Sequence, residues 1–342
     1  MIKTDKSMIS VLLPVYNAEE SVERAIVSIL RQSHREFELL VINDGSRDRS
    51  LKIIQTIDDA RMRVIDLKEN RGLIGVLNLG LELAKGEIIV RQDADDESVS
   101  NRIELQLEVL LREPGVVAVG SALQIMREGR WSGEVWSYPG SAVEARWQSL
   151  FKTPVAHSAV AYRRRLVIEL GGYSEKFRYA EDYELWSRLV TVGEIRSVKE
   201  ALVKYDLGSG GVSRAKSEEQ RLVHCRIARH NMERLLNRKV EGGVVESLAS
   251  GIDRGGIFRE FDEYRSAIEC LTNLYKTFVV VESQRSAGSD LSLINRDFEE
   301  RIWKLVKMLP YRMRLRGVRA FQELSPGMNL SLASVVRALC RP

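Results

Sequence analysis

The densest chemical signal in the sequence is Asp93-Ala94-Asp95-Asp96, three carboxylates in four residues directly after an apolar run. Like charges packed this closely repel one another, and a divalent cation relieves the repulsion. Hard oxygen ligands at a strand end suit Mg2+ or Mn2+, which retain waters and take further ligands from substrate phosphates. The other reading of the same residues is a solvated acidic turn capping the helix that opens near Asn101. Asp44, in Asn43-Asp44-Gly45-Ser46, can accept hydrogen bonds from a ribose or a base N–H, or serve as a helix N-cap or Asx-turn. Glu181-Asp182 precedes an apolar helical face of Tyr183, Leu185, Trp186 and Leu189. A carboxylate so placed can act as general base on a hydroxyl, while two acids in a first turn also complement the helix dipole. His157 follows Pro154 in a low-charge segment and reads first as a satisfied core histidine.

These residues punctuate a regular rhythm. Residues 9–15 (ISVLLPV) predict a strand, followed from Ser21 by a helix with Val22, Ala25, Ile26 and Ile29 on one face. The pattern returns as a strand over 37–43, a turn at Asp44-Gly45-Ser46 and a helix carrying Leu51, Ile53, Ile54 and Ile57. It continues with a strand over 62–67, a helix over 73–84 and a strand over 87–92. Strands apolar on both faces and separated by helices predict an α/β fold with a mainly parallel sheet covered on both sides. Ligands then sit beyond the carboxyl ends of the strands, where Tyr16, Asn17 and Glu19, then Asp44, then the acidic cluster occur. Further along, a helix over 102–111, an apolar run over 116–125, a loop or hairpin over 127–140, a strand over 157–162 and a helix over 183–192 are expected. Gly208-Ser209-Gly210-Gly211 marks a break, and the periodicity beyond it is helical over 218–238, 258–281 and 293–308. The expected organisation is an α/β domain over 1–213 and a helical region over 214–342.

Composition narrows the class. With 342 residues, 44% hydrophobic and 29% charged, the chain can bury a sizeable core. Cys225, Cys270 and Cys340 match neither a disulfide framework nor a CxxC site and read as reduced thiols of a cytosolic protein. Residues 1–10 carry no apolar h-region, and no run reaches the ~18 to 20 apolar residues needed to span a bilayer. The net charge of +4 conceals a basic end, since residues 301–341 hold nine Lys or Arg against Glu323. The main fold is thus mildly acidic, which argues against a nucleic-acid partner. In the basic end Trp303, Leu305, Met308 and Leu309 lie among the cations. Such a segment can lie on an anionic membrane or form an ordinary solvated helix pair, and Pro310 interrupts any single long helix. The GxxxxGK[ST], HExxH, GxSxG and GxGxxG signatures are missing, which removes support for ordinary NTPase, zinc protease, hydrolase and dehydrogenase readings.

Taken in order, SVLLPVYNAEESVERAIVSILRQ, FELLVINDGSRDRS, NRGLIGVLNLGLELAKGEIIVRQDADD and AEDYELWSRL, spread over residues 8–206, resemble the family 2 glycosyltransferases of GT-A fold, particularly the bacterial surface-polysaccharide type. The resemblance implies a GT-A, Rossmann-like sheet with a C-terminal helical extension. It also implies a metal-dependent, inverting transfer of a sugar from a nucleotide-sugar, usually a UDP-sugar, to an acceptor hydroxyl. On this reading Pro14, Tyr16, Asn17 and Glu19 would line the nucleotide pocket, Asp44 would contact the uracil and Asp93 the ribose region. Asp95 would coordinate Mn2+ or Mg2+ bridging the diphosphate. Asp182 would be the general base, Glu181 would position the acceptor, and His157, in PVAHSAVAYRR, would lie on the acceptor side; Arg91 and Arg102 also fit this subgroup. The acceptor would be a glycan or lipid-linked glycan, and the protein cytoplasmic, at the inner face of the cytoplasmic membrane if its basic end touches lipid.

Two positions depart from the family pattern. Lys204-Tyr205-Asp206 stands where relatives often carry Tyr-Arg, and Asn43 where many carry Asp. The QxxRW motif of processive synthases is missing, which implies one sugar added per event. The alternative function is a non-catalytic GT-A module that binds a nucleotide-sugar or a protein partner, and Asp206 is its support. A nucleotidyltransferase would need a Gly-rich loop after the first strand, where Tyr16-Asn17-Ala18-Glu19-Glu20 stands instead.

Overall fold

A computed structural model describes residues 9–127, 129–207, 214–251, 258–285 and 290–324. The chain runs β1 (Ile9–Val15), α1 (Val22–Leu30), β2 (Phe37–Asp44), α2 (Ser50–Gln55), β3 (Met62–Leu67), α3 (Gly72–Leu83), β4 (Ile88–Arg91), β5 (Glu97–Ser98), α4 (Arg102–Arg112), β6 (Val116–Arg127), β7 (Arg130–Trp136), α5 (Ala142–Gln148), β8 (Ala161–Arg163), α6 (Arg164–Glu169), α7 (Glu181–Val192) and β9 (Glu194–Asp206). Helices follow: α8 (Arg214–Leu236), α9 (Gly242–Glu246) with a π-turn at Ser247–Gly251, α10 (Phe261–Arg285), α11 (Ser292–Lys307) and α12 (Arg314–Leu324). Two compact units result, one from residues up to 145 with 153–217, the other from 146–152 with residues from 218 onward.

The first unit holds one sheet of order β3-β2-β1-β4-β8-β6-β9-β5, with β7 hydrogen-bonded to β6. Strands β3, β2, β1 and β4 are parallel. β8 then runs antiparallel to both β4 and β6, and β9 is parallel to β6. Successive side chains of β1 point to opposite faces, and every residue of the strand is buried. Val11 and Leu13 pack with Ile26 and Ile29 of α1 and Ile103 of α4, while Leu12 packs with Leu77 and Leu81 of α3 and Trp186 of α7. The i, i+3, i+4, i+7 spacing of Val22, Ala25, Ile26 and Ile29 is what buries one stripe of α1. On the opposite layer Gly80 lets α3 sit directly on β1, since a Cβ there would lie 2.3 Å from Leu12 Cδ1.

The expected strand over 157–162 is replaced by a single 3-10 turn, His157–Ala159, and a three-residue β8. The Ala159 N–H donates to the Ala156 carbonyl at 3.2 Å, which turns the chain. Only Ala161–Arg163 then remains positioned to pair with β4 and β6. Residues 127–140 do contain the hairpin, β6 with β7.

In the second unit Tyr264, Ile268, Leu271, Leu274, Ile302 and Phe321 are fully buried. Residues 146–152 join it through specific contacts. Arg146 donates to both Glu282 oxygens at 2.8 and 2.5 Å, Trp147 Nε1 donates to Asp297 at 2.6 Å, and Arg301 lies 3.8 Å over the Phe151 ring. The membrane reading of the basic end loses its apolar half here, because Trp303, Leu305, Met308 and Leu309 are all buried. Exposed large apolar groups in this stretch are Tyr311 and Leu315. Among the described residues no helix is long and apolar enough to cross a membrane, and Cys225 and Cys270 are free thiols. Cys340, the glycine break at 208–211 and the last basic residues lie outside the described residues.

Candidate active site

The carboxyl ends of β1, β2 and β4 meet on one side of the sheet, as parallel strands require. β4 delivers Arg91, whose guanidinium is buried and ion-paired with Asp93. Burial alone would lower its pKa; the charge and hydrogen bond of Asp93, with Tyr173 and Asp96, together outweigh this, so the value is raised and Arg91 stays a cation. Beyond it the carboxylates of Asp93, Asp95 and Asp96 bring oxygens within 4.8 Å of one another. Partial desolvation and the Asp93 charge raise Asp95 to about 6, although the residue remains exposed. Asp96 is pushed up by burial and by its two acidic neighbours, and accepts the Asp206 N–H at 3.0 Å.

A buried polar network holds this acidic loop in place. Gln92 Nε2 donates to the carbonyls of Asp93 and Asp96 at 3.1 and 2.7 Å. Arg102, fully buried, donates to Gln92 Oε1 and Ser98 Oγ at 2.9 Å each and to the Arg91 carbonyl at 2.7 Å. The N-cap residue of α4 is Asn101, so none of the three carboxylates is spent as that cap.

On the β1 and β2 side two loops are stitched together. Asn17, with φ 50°, accepts the Arg47 N–H at 2.8 Å and donates its own N–H to Ser46 Oγ at 3.0 Å. Glu19 accepts the Arg49 N–H at 2.9 Å and Arg49 Nε at 3.1 Å, bonds that hold its pKa below the usual range. Asp44 proves to be a cap, but of a helix far along the chain: its two oxygens accept the Arg71 and Gly72 N–H groups at 2.6 and 3.0 Å at the start of α3. Asn43 donates to Asp66 at 2.8 Å. A cleft of about 470 Å3 is lined by Pro14, Tyr16, Asn17, Asp44, Asn70, Asp93, Asp95 and Arg178. A neighbouring hollow of about 600 Å3 shares Asn17 and Asp95 and adds Glu19, Asp48 and Asp206.

Across the cluster, α7 opens with Glu181 and Asp182. Burial and the Glu181 charge push Asp182 up to about 7, against a pull from Arg91. Glu181 is itself raised by burial and feels both Arg91 and Asp93. Tyr179, at φ 72°, lies two residues before the helix, a left-handed backbone of the kind stored at functional turns. His157 Nε2 lies 3.0 Å from the Tyr173 hydroxyl, which is 3.3 Å from the Tyr162 hydroxyl. Burial and Arg91 hold the imidazole well below its ordinary pKa, hence neutral.

Pro14, Tyr16, Asn17, Asp44, Asp93 and Asp95 thus share one cleft, and Glu181 and Asp182 are coupled to it through Arg91. Glu19 is turned to Arg49, and His157 has its own partner in Tyr173. Arg178, Tyr138 and Tyr205 were not expected at the site. Tyr138 is raised to about 12 by burial and by Asp182, and Tyr205 is raised by burial and the acidic cluster. Asn70, before Gly72 in a segment of turn residues, carried a readable signal; Arg178 carried none.

The sequence profile of Glycosyl transferase family 2 matches residues 10–171. An uncharacterized glycosyltransferase of Haemophilus influenzae is 32% identical over 246 residues, covering 68% of this chain and 75% of that protein. The amylovoran biosynthesis glycosyltransferase AmsE of Erwinia amylovora is 30% identical, over 60% of this chain and 79% of its own. The UDP-Glc:alpha-D-GlcNAc-diphosphoundecaprenol beta-1,3-glucosyltransferase WfgD of Escherichia coli is 26% identical, over 63% and 83%. Among solved structures, S. aureus TarS 1–349 in complex with UDP-GlcNAc has a similar fold, with TM-score 0.53 and 16% identity over 93% of this chain and 89% of that one. The chain accordingly belongs to glycosyltransferase family 2 and is a glycosyltransferase.

Proposed function

We propose that the chain transfers a sugar from a UDP-sugar to a hydroxyl of a glycan or lipid-linked glycan, with inversion at the anomeric carbon and with a divalent cation. The observation that carries this reading is the meeting of Tyr16 and Asp44 with Asp93 and Asp95 in one cleft. WfgD, named for a UDP-Glc donor and a diphosphoundecaprenol-linked acceptor, and TarS, solved with UDP-GlcNAc, support it.

Tyr16, 49% exposed at the mouth of the cleft, offers a ring on which a base can stack. Asp44 spends one lone pair per oxygen on α3 and keeps others for a base N–H. Pro14 and Asn17 shape the pocket, and Glu19 acts from behind by fixing the loop through Arg49. Asp93, anchored by Arg91, faces the ribose. The donor set suits Mg2+ or Mn2+: it is all oxygen and its atoms lie within 4.8 Å of one another. Asp95, with Asp93 and Asp96 beside it, would hold the cation. When bound, it would neutralise charge on the departing diphosphate.

Asp182 takes the proton of the acceptor hydroxyl on its carboxylate. The freed oxygen attacks the anomeric carbon from the face opposite the diphosphate, whose C–O bond breaks. A group ionising near 7 suits this task at neutral pH. Glu181 orients the acceptor, and neutral His157 is held by the Tyr173 hydroxyl. A lipid-linked acceptor would bring the enzyme to the inner face of the cytoplasmic membrane, where Tyr311 and Leu315 are exposed to meet lipid.

Calorimetric titration of UDP with Mn2+ and with chelator, on wild type and Asp95→Ala, tests the reading. Metal-dependent binding that Asp95→Ala loses is the expected result. No binding of UDP, GDP or dTDP under either condition would sink it. UDP binding without turnover of any UDP-sugar would favour the non-catalytic module, for which Asp206 beside Asp95 is the observation.

A further inference from the structure

We infer that the β6–β7 hairpin carries the acceptor subsite: Trp136, backed by Tyr205, is a platform for the apolar face of a pyranose ring of the acceptor glycan. The inference rests on the transfer reading above. All seven residues of β7 are exposed, including Trp136 at 41% and Trp131 at 63%, where large aromatic side chains are ordinarily well buried. Trp136 is not loose. Its ring centroid lies 6.1 Å from that of Tyr205 at an interplanar angle of 38°. The pairing of Trp136 with Leu123 sets it beside the cluster of Leu123, Ile125 and Val203 on which Tyr138 and Tyr205 pack. Ser132 Oγ donates to the Ile125 carbonyl at 2.8 Å and ties the hairpin down.

The platform is continuous with the chemistry. Tyr205 immediately precedes Asp206, whose N–H is bonded to Asp96. Tyr138, two residues after Trp136, is near enough to Asp182 to feel its charge. In the sheet order the nucleotide residues stand on β1 and β2, the acidic loop follows β4, and the hairpin grows from β6 on the far side of β8. A donor laid from Asp44 to the acidic loop leaves the hairpin side for the acceptor. The C–H-rich face of a pyranose packs on an aromatic ring, and a rigid indole loses little rotamer freedom in receiving it. The aromatic ring paired to Tyr205 at the acidic loop favours a sugar here over a lipid surface, which would need no continuity with the catalytic carboxylates.

The full chain, saturated with UDP and Mg2+, would be examined by saturation-transfer NMR with the methyl glycosides of glucose, galactose, mannose and N-acetylglucosamine. At least one glycoside is expected to receive saturation at its ring C–H protons. Trp136→Phe should keep the effect and Trp136→Ala reduce it at least fivefold. UDP affinity should stay within twofold in both, which certifies the fold. Trp131→Ala, about 16 Å along the strand, should leave it unchanged. No saturation in wild type that binds UDP, or equal saturation in Trp136→Ala, would overturn the platform, as would a loss as large in Trp131→Ala. A fluorescence blue shift on phosphatidylglycerol vesicles that depends on Trp136, without glycoside binding, would overturn it in favour of a lipid surface. Absence of UDP binding in wild type would instead defeat the donor reading, and Trp136-dependent glycoside binding would still support the platform.

Discussion

Replacing Asp182 by Asn should make the protein more stable and less active, and both changes can be sized. Asp182 ionises near 7 in the folded chain against 3.8 for a free aspartate. Between those values the native state keeps a proton that the unfolded chain has released, so stability falls as pH rises through this window and the loss is complete above the folded value. The gap corresponds to about 3 to 6 kcal/mol at pH 8. Asn fills nearly the same space without the charge. Asp182→Asn should therefore resist urea better by that amount at pH 8 and match wild type at pH 3, where both side chains are neutral. In turnover the sign reverses. Wild-type kcat/KM should fall about tenfold between pH 8 and pH 6 as the base takes up its proton, and the Asn variant should lose roughly 100-fold to 10,000-fold in kcat. Its UDP affinity should not move. Urea unfolding at the two pH values, with UDP release from a UDP-sugar followed over pH 5.5 to 9, reads all of this. A variant less stable than wild type at pH 8, or a wild-type kcat/KM that stays flat from pH 8 down to pH 5.5, would refute the assignment of a buried base.

Asp44→Ala should cost about 1 to 2 kcal/mol in urea unfolding through loss of the α3 cap, and should also weaken UDP in calorimetry. An effect on UDP alone would refute the capping role. Arg102→Met removes the guanidinium bonds to Gln92, Ser98 and the Arg91 carbonyl, which should cost about 3 kcal/mol or more and abolish Mn2+-dependent UDP binding as the acidic loop shifts. Gly80→Ala drives a methyl to 2.3 Å from Leu12 Cδ1 and should lose about 1 to 3 kcal/mol, with Leu12→Val in the same chain restoring part of the thermal stability.

Much of the first unit was legible because its signals are local. The apolar runs at residues 9–15 and 62–67 and the stripe of Val22, Ala25, Ile26 and Ile29 each became the element expected, and the helical run beyond residue 214 did as well. Residues 157–162 failed for an equally plain reason: an apolar run of that length suits a buried strand or a tight turn alike. Arg178 lines the cleft of Tyr16, Asp44 and Asp95 with no pattern around it to say so. Trp303 and Leu305, read among their basic neighbours, looked available to a membrane, and the helical unit buries them.

The sequence by itself determined the alternation of strands and helices and the placing of polar residues at strand ends, because periodicity and turn chemistry act within a few residues. It also brought Asp93, Asp95 and Asp96 together, since adjacency in the chain forces adjacency in space. Only the tertiary structure decided that Asp44 caps α3 rather than a nearby turn, that a buried Arg91 binds Asp93 and that Trp136 lies against Tyr205. Those outcomes depend on contacts between residues far apart in sequence. The same holds for the pKa of Asp182, because the desolvation that raises it comes from everything packed around the helix and not from the residues beside it in the chain.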